Sequence, residues 1–427
     1  MELKDLHNCF LKCQSFSTDT RKIEKDSMFF ALKGANFDAN TFTPEALNKG
    51  AKFVLIDNSD YFIDARTIMV NDVLKTLQEL ATFHRKYLGL PIIALTGSNG
   101  KTTTKELINV VLTKKYNTKA TVGNLNNHIG VPITLLSFTK ETEIGIVEMG
   151  ANHQKEIEFL CSLALPDFGY ITNFGKAHLE GFGGVEGVII GKSEMYTYLF
   201  KNNKLVFVNE DDAVQKTKTS HYLSKYTFSK LNRTANLYID SILANPFVEI
   251  KTSDITIQSN LIGLYNANNI NAALTIGNYF KVSLSQCKDA IESYIPENNR
   301  SQLIKKGSNE IILDAYNANP SSMIVALENF LQIDKQNKLI IIGDMYELGS
   351  DSLKEHEILV SYLMDKKTKT YFIGKAFYFN KVKSPYLDFF ASFEELSIQL
   401  KNYKPENKSI LIKGSRGMAL ERTLEFL

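Results

Sequence analysis

The run Thr96-Gly97-Ser98-Asn99-Gly100-Lys101-Thr102 stands directly after the apolar stretch Pro91-Ile92-Ile93-Ala94-Leu95 and constrains this chain more than any other feature. Its two glycines let the backbone turn so that successive amide N–H groups converge on one concavity. Lys101 is placed to reach β- and γ-phosphates, and the Thr102 hydroxyl suits Mg²⁺. An apolar strand, a glycine turn and a Lys-Thr pair opening a helix predict a nucleoside-triphosphate loop, with ATP and Mg²⁺ as cofactors.

The spacing is G-x-x-G-K-T, shorter than the common G-x-x-x-x-G-K-[ST], which would need glycine where Leu95 stands. A glycine turn alone would be weak grounds. Its context strengthens it: Thr103-Thr104-Lys105-Glu106-Leu107-Ile108-Asn109-Val110-Val111-Leu112 carries apolar residues at helical spacing, which sets the lysine at a helix N-terminus.

A chain of 427 residues exceeds the span of one hydrophobic core, so two or three domains are expected. With 49 Lys+Arg against 47 Asp+Glu the charge is nearly balanced, which argues against a nucleic-acid surface or a polybasic membrane patch and for small ligands. Cys9, Cys13, Cys161 and Cys287 are too few and scattered for a disulfide framework. Cys9 and Cys13 fall four apart on an expected helix near His7, but a zinc site would need a second ligand pair. The N-terminus lacks a basic start with an apolar core, and no 18-residue apolar run occurs, so a cytoplasmic chain without membrane insertion is expected.

Short strands such as Ser27-Met28-Phe29-Phe30-Ala31-Leu32 and Phe53-Val54-Leu55-Ile56, then a helical stretch from Val73 to Tyr87, indicate a small mixed α/β domain over residues 1–87. Beyond it, strand-like runs recur at Ile144–Met149, Phe168–Thr172 and Leu205–Val208, alternating with helical patterns, which predicts a parallel sheet in a central domain over residues 88–296. After the polar interval Asn298-Asn299-Arg300, strands at Glu310–Asp314, Lys338–Gly343, Thr370–Gly374 and Ser409–Lys413 predict a C-terminal Rossmann-like α/β domain over residues 297–427. The fold class is therefore α/β with three domains in series. Asp314, Asp344 and Lys413-Gly414-Ser415-Arg416 end strands, where parallel sheets place their ligands.

Several residues carry candidate chemistry. Glu148 ends a strand downstream of the phosphate loop, as a Mg²⁺ ligand would, or as an ordinary strand-end charge. His178 lies in a glycine-rich loop, where histidine is commonly just exposed. Lys192 sits in a helical pattern, and its spacing alone predicts a solvated or snorkelling side chain. Asp314-Ala315-Tyr316-Asn317-Ala318-Asn319-Pro320 could hold a nucleotide's sugar or base, or form a self-satisfied turn before a proline-initiated helix. Lys413, Ser415 and Arg416 border a helix start that favours a carboxylate or phosphate. Arg21, in Ser17-Thr18-Asp19-Thr20-Arg21, is a further candidate for a phosphate.

Together these segments resemble the Mur ligase family over nearly the whole chain. The loop Thr96–Thr102 is similar to its T-G-x-N-G-K-[ST] signature, and Gly123-Asn124-Leu125-Asn126-Asn127-His128-Ile129-Gly130-Val131-Pro132 to its sugar-peptide-binding stretch. Val147-Glu148-Met149-Gly150 matches the metal-binding glutamate, and the run from Thr172 through His178 to Lys192-Ser193-Glu194 resembles the segment with a second metal ligand and a carbamylated lysine. Gly263-Leu264-Tyr265-Asn266-Ala267-Asn268-Asn269 resembles G-x-H-N-x-x-N, with Tyr265 where histidine is usual. Asp314–Pro320 and Gly343-Asp344-Met345-Tyr346-Glu347-Leu348-Gly349 look most like the branch that adds a dipeptide. Thr18-Asp19-Thr20-Arg21 and Phe29-Phe30-Ala31-Leu32-Lys33-Gly34 fit a uridine-diphosphate site, although Asp38-Ala39-Asn40-Thr41-Phe42 departs from D-G-H-x-F.

The resemblance implies an ATP-dependent amide ligase joining D-alanyl-D-alanine to UDP-MurNAc-tripeptide through an acyl phosphate, as a monomer that takes no nucleic acid. It implies Gly97, Asn99, Gly100, Lys101, Thr102, Thr103, Asn266, Asn269, Arg300, Asp314 and Asn317 as nucleotide contacts, and Thr18, Arg21, Asn126, Asn127, Lys413, Ser415 and Arg416 as substrate contacts. Thr102, Glu148, His178 and carbamylated Lys192 would be the metal ligands, with Lys101, His178 and Lys192 the catalytic set. A folylpolyglutamate synthase-like ligase, a kinase and a non-catalytic nucleotide switch are the competing expectations.

Overall fold

Four strands, Ser15–Ser17, Ser27–Phe30, Phe53–Ile56 and Thr67–Met69, pair in that order and all in parallel in a computed structural model of the chain, which describes residues 1–297 and 299–427. Asn298, part of the polar interval before the C-terminal segment, lies outside the described residues. The chain divides into two compact units: the first comprises residues 1–94, 117–149 and 158–167, the second residues 95–116, 150–157 and 168–427.

In the first unit, the strand Phe53–Ile56 is built from a continuous apolar run because helices cover the sheet. The helix Val73–Leu88 starts where the Asp72 carboxylate accepts the Lys75 amide, and stops at Gly89, whose φ of +67° a side chain would resist. Arg85 on that helix donates to the Ala164 and Leu165 carbonyls and pairs with Asp167 at 2.7 Å. Asn40, where the family resemblance leads one to expect histidine, is fully buried. Its amide bridges the carboxylates of Asp38 and Asp57 and accepts the Asp57 N–H, so the substitution is met by a closed hydrogen-bond set. The strand Ile144–Glu148 pairs in parallel with Thr118–Ala120.

The second unit holds the parallel strands Phe168–Ile171, Leu205–Asn209, Lys225–Ser229 and Leu237–Tyr238 in succession. An antiparallel sheet of Ser241–Ala244, Phe247–Lys251 and Thr256–Ile262 follows. The sequence reading passed over this meander, although Val248 and Ile250, then Ile257, Ser259 and Leu261, alternate inward at the period of a half-buried strand. A six-stranded sheet closes the unit, in the order Gln302–Lys306, Asn309–Asp314, Ser409–Lys413, Lys338–Gly343, Lys369–Ile373, Leu387–Phe390. Its first pair is antiparallel and the rest parallel. The last strand in chain order, Ser409–Lys413, is inserted between two earlier ones, so the ends bearing Asp314, Lys413 and Gly343 lie side by side.

All four cysteines are free, and the helix Leu3–Phe10 ends before Cys13, which corrects the expectation that both N-terminal cysteines share it. Among the described residues no helix is long and apolar enough to cross a membrane.

His7 and His84 are buried against each other, Nε2 to Nδ1 at 3.0 Å, and His84 Nε2 donates to the Phe138 carbonyl at 2.9 Å. A carbonyl only accepts, so His84 Nδ1 is unprotonated and His7 Nε2 donates to it. Burial, then the neighbouring His84, pulls His7 down to about 4. The unfolded chain therefore binds this proton before the folded one, and stability falls as pH drops from about 6.5 towards 4. Thermal melts of wild type should lose on the order of 2 kcal/mol more over this window than melts of His7→Gln, which keeps a donor but cannot titrate; equal pH slopes would contradict the assignment.

Candidate active site

The phosphate-loop strand Ile92–Thr96 is fully buried, and the helix Lys101–Leu112 begins at Gly100, whose φ is +78°. Gly97 has φ +142°, and a Cβ there would stand 2.0 Å from Thr172 Oγ1 and 2.9 Å from the Thr172 amide. Only glycine lets the loop pass so close to the end of the neighbouring strand. Asn99, at the crest, is engaged through its N–H, its carbonyl and its side-chain oxygen. Its N–H donates to Asn173 Oδ1 at 3.0 Å, its carbonyl accepts from Thr172 Oγ1 and Asn173 Nδ2, and its Oδ1 accepts from Asn319 Nδ2 at 2.7 Å. Lys101 Nζ folds back on the Gly97 carbonyl at 2.7 Å, and Thr102 and Thr103 lie half-buried in the first helical turn.

Asn266 and Asn269 are buried and face this helix from behind. Thr104 Oγ1 donates to Asn269 Oδ1 at 3.0 Å, Asn269 Nδ2 to Asn266 Oδ1 at 2.8 Å, and Asn266 Nδ2 to the Ile262 carbonyl at 2.8 Å. A Cβ at Gly100 would meet Asn269 Oδ1 at 2.6 Å, so the relay supports the loop itself. Tyr265, in the place of the usual histidine, shares a 2.7 Å hydrogen bond with Ser301 Oγ.

Lys192 departs most from what its spacing predicts. Its side chain is completely buried, not solvated, with Nζ donating to the Ala151 carbonyl at 3.0 Å and lying 4.9 Å from the centre of the Phe182 ring. Burial, and after it the charge of Lys101, holds its ammonium well below the usual lysine range, against the pull of Glu156 and Glu194. Burial therefore disfavours the cationic form of this amine. His178 is likewise not merely exposed: four-fifths of its side chain is covered, its φ is +54°, and Nδ1 lies against a carboxylate oxygen of Glu347. That partner holds the Glu347 carboxyl below its ordinary range.

In the first unit, Glu148 is 2% exposed and its N–H donates to Thr121 Oγ1. Asn126 Nδ2 donates to Glu148 Oε1 at 2.8 Å, while Oε2 is buried without a hydrogen-bond partner among the described residues. An orphaned, buried carboxylate oxygen is a fitting ligand for a hard divalent cation. Asn127 Oδ1 accepts the amides of Ile129 and Gly130 and so starts the helix Gly130–Leu136. Thr18 is half-buried, and the exposed Arg21 is held by a forked pair with Asp19, whose carboxyl falls to about 2 under that hydrogen bonding.

The C-terminal candidates are mostly tied to one another. Lys413 Nζ pairs with Asp314 at 2.6 Å and reaches the Asn317 carbonyl, and Asp314 Oδ1 accepts the Ser301 N–H. Ser415 is buried, accepts the Tyr346 N–H and donates to the Ala318 carbonyl. Arg416 pairs with Glu421 at 2.7 Å, and Asn317 Oδ1 accepts the Ala318 amide. Asp344 is structural: its two carboxylate oxygens take the Ala376 and Phe377 amides at 3.0 Å each. Arg300 lies 3.6 Å above the Tyr316 ring, and its Nε is a buried donor without a partner among the described residues. Asn173 and Ser321, which the sequence alone assigns no role, hold the loop region in place; Asn319, expected within the Asp314–Pro320 turn, caps the helix before Pro320 and reaches Asn99.

The Mur ligase middle domain matches residues 95–277, and the Mur ligase glutamate ligase domain matches residues 299–416. The chain is 32% identical over 422 residues to the UDP-N-acetylmuramoyl-tripeptide–D-alanyl-D-alanine ligase of Bacillus subtilis, covering 96% of this chain and 92% of that one. It is similar in structure to MurF from Acinetobacter baumannii, with a TM-score of 0.85 at 29% identity over 99% of this chain and 97% of that one. It is also similar to the MurF ligase from Thermotoga maritima in complex with ADP, with a TM-score of 0.85 at 26% identity over 98% and 97% of the two chains.

Gly97→Ala should cost about 2–4 kcal/mol in strain and overlap with Thr172. Calorimetric titration should show ADP affinity reduced at least about tenfold in this variant, because the amides that cradle phosphate can no longer converge. Wild-type affinity in a folded Gly97→Ala protein would refute this loop geometry.

Proposed function

The chain belongs to the Mur ligase family, and from that premise we propose that it joins D-alanyl-D-alanine to UDP-MurNAc-tripeptide at the expense of ATP. The observation that carries this is the phosphate loop closed around Asn99, in a chain related along almost its whole length to ligases of that specificity. On this reading residues 1–87 take the nucleotide sugar, 88–296 take ATP and 297–427 serve the reacting groups. The protein acts as a cytoplasmic monomer without a nucleic-acid partner.

The γ-phosphoryl group of ATP passes to a terminal carboxylate oxygen of the tripeptide, giving an acyl phosphate and ADP. The free amine of the dipeptide attacks the acyl carbon, phosphate leaves with the C–O bonding pair, and the amine loses a proton. Phosphorylation is needed because hydroxide is a poor leaving group. What the protein supplies is alignment and charge: loop amides and Lys101 receive the phosphates, with Gly97, Asn99, Gly100, Thr102 and Thr103 shaping the cradle. Arg300, with its unpartnered Nε, and the Asp314–Asn317 turn take the nucleoside, while Asn266 and Asn269 set the loop from behind.

Mg²⁺, when bound, neutralises charge spreading over the transferred phosphoryl group. Thr102, His178 and Lys192 are the groups of the second unit that would hold it; in the first unit, the orphaned Oε2 of Glu148 is a carboxylate fitted to a divalent cation. The neutral amine of Lys192 is the form that adds CO₂, and the resulting carbamate is an anion able to support a cation. Asn126, Asn127, Thr18, Arg21, Lys413, Ser415 and Arg416 are proposed to line the path of the nucleotide-peptide.

Purified protein given ATP, Mg²⁺ and UDP-MurNAc-tripeptide should release phosphate only when D-alanyl-D-alanine is added, with a product heavier by that dipeptide. Lys101→Ala should lower this rate by on the order of 10³ or more. Turnover with a single amino acid in place of the dipeptide would keep the family and overturn the substrate. Lys192→Ala should be inactive and recover in part with short carboxylic acids; a folded variant that no acid revives would remove the carbamate.

A further inference from the structure

The run 343–349 presents Glu347 from a stiff support. Asp344 donates its N–H to the Ile373 carbonyl at 3.0 Å and caps the helix Lys375–Phe379 with its carboxylate. The Met345 N–H donates to His356 Nε2 at 2.9 Å, and His356 Nδ1 in turn donates to the Ser352 carbonyl, which fixes the tautomer of that buried ring. The Tyr346 N–H donates to Ser415 Oγ at 2.9 Å. Three consecutive residues are thus pinned before the chain enters Glu347, whose φ of +62° is uncommon for a side chain with a Cβ. Across from it, His178 is also in the left-handed region at φ +54°, and the two meet through Glu347 Oε2 and His178 Nδ1. The Glu347 carbonyl also accepts the Glu180 amide, and a Cβ on Gly349 would press on Glu180 at 3.2 Å.

Two adjacent backbone outliers facing each other are a costly arrangement, and such outliers concentrate at functional sites. Burial does not explain the contact, because the Glu347 side chain is half exposed. The contact sets a carboxylate oxygen beside Nδ1, which completes no hydrogen bond among the described residues. A carboxylate that accepts Nδ1–H would leave Nε2 as the lone-pair nitrogen, the arrangement by which carboxylates orient metal-binding histidines.

We propose that Glu347 is a positioning residue for His178, fixing the ring and its tautomer so that Nε2 is offered to the divalent cation, and that the run 343–349 is thereby part of the cation site. This rests on the reading of His178 as a metal ligand. Because Glu347 is carried by the C-terminal segment, cation affinity depends on that segment being docked beside the loop 173–180.

Mn²⁺ titrations of the ADP-bound protein, followed by the electron paramagnetic resonance of free Mn²⁺, test it. Glu347→Ala should weaken Mn²⁺ roughly 10–100-fold, and Glu347→Gln, whose amide oxygen still accepts from Nδ1–H, should recover most of that loss. ADP affinity measured in chelator should be unchanged within about twofold, which a general loss of structure would not allow. If Glu347→Ala binds Mn²⁺ as wild type does while His178→Ala does not, the positioning role is overturned and the ligand stands. If His178→Ala also binds normally, the ligand assignment falls and the proposal with it. In wild-type protein labelled with ¹⁵N-histidine, the His178 ring at pH 8 should carry its proton on Nδ1. A proton on Nε2 would overturn the proposal without recourse to any variant.

Discussion

The close approach of Gly97 to the end of the strand Phe168–Ile171 is the constraint on which the rest of the second unit depends. A loop that must expose its amides to phosphate cannot also satisfy them internally, so something else must hold its shape. Asn99 meets that need with its N–H, carbonyl and side chain, each tied to a different group. The partners lie far apart in sequence, at Asn173 and Asn319, and the loop has its working form only when both segments are in place. Behind it, the relay from Thr104 through Asn269 and Asn266 is buried at every step, where a missing partner would be costly.

Charge in this unit is sorted by whether a partner is built in. Lys413 and Asp314 leave adjacent, registered strands and neutralise each other, and Asp344 is consumed by two helix amides. These pairs let polar residues end apolar strands without an uncompensated buried charge. Among the described residues Lys192 pairs with no carboxylate, only with a carbonyl and an aromatic face, in a region where Lys101 adds a like charge. A fully buried amine so placed is disfavoured as a cation, and chemistry that converts it into an anion would remove both the desolvation penalty and the repulsion. Lys413 thus meets burial with a carboxylate partner, and Lys192 with a carbonyl and a ring.

Much of this was legible in the sequence. The apolar run before Gly97, the helical spacing after Lys101 and the alternation of strands with helices predicted the phosphate loop and the parallel sheets, because these signals are local. The meander of residues 241–262 was missed for want of turn signals weighed against a clear alternation. Burial of Lys192 was illegible, since helical spacing cannot reveal that Phe182 folds over it, nor that Gly191 lets the ring lie flat. Asp344 and Lys413 were placed correctly at strand ends, yet their partners, Ala376, Phe377 and Asp314, come from segments that only the folded sheet brings near. The departures at Asn40 and Tyr265 found local compensation of the same kind, in Asp57 and Ser301.

The contacts of residues 173–180 with the C-terminal segment differ in character from the buried relay behind the loop. They comprise the Lys176 amide on Ser321 Oγ, the Lys176–Glu355 pair at 2.6 Å, the His178–Glu347 pair and the Glu180 amide on the Glu347 carbonyl. Each involves a group open to solvent on at least one side, where an ion pair is worth less than about 1 kcal/mol. A junction of this strength can form and break within a catalytic cycle, whereas the relay through Asn269 cannot without exposing unsatisfied amides. The buried network therefore shapes the phosphate cradle, while the solvent-exposed one ties residues 173–180 to the C-terminal segment.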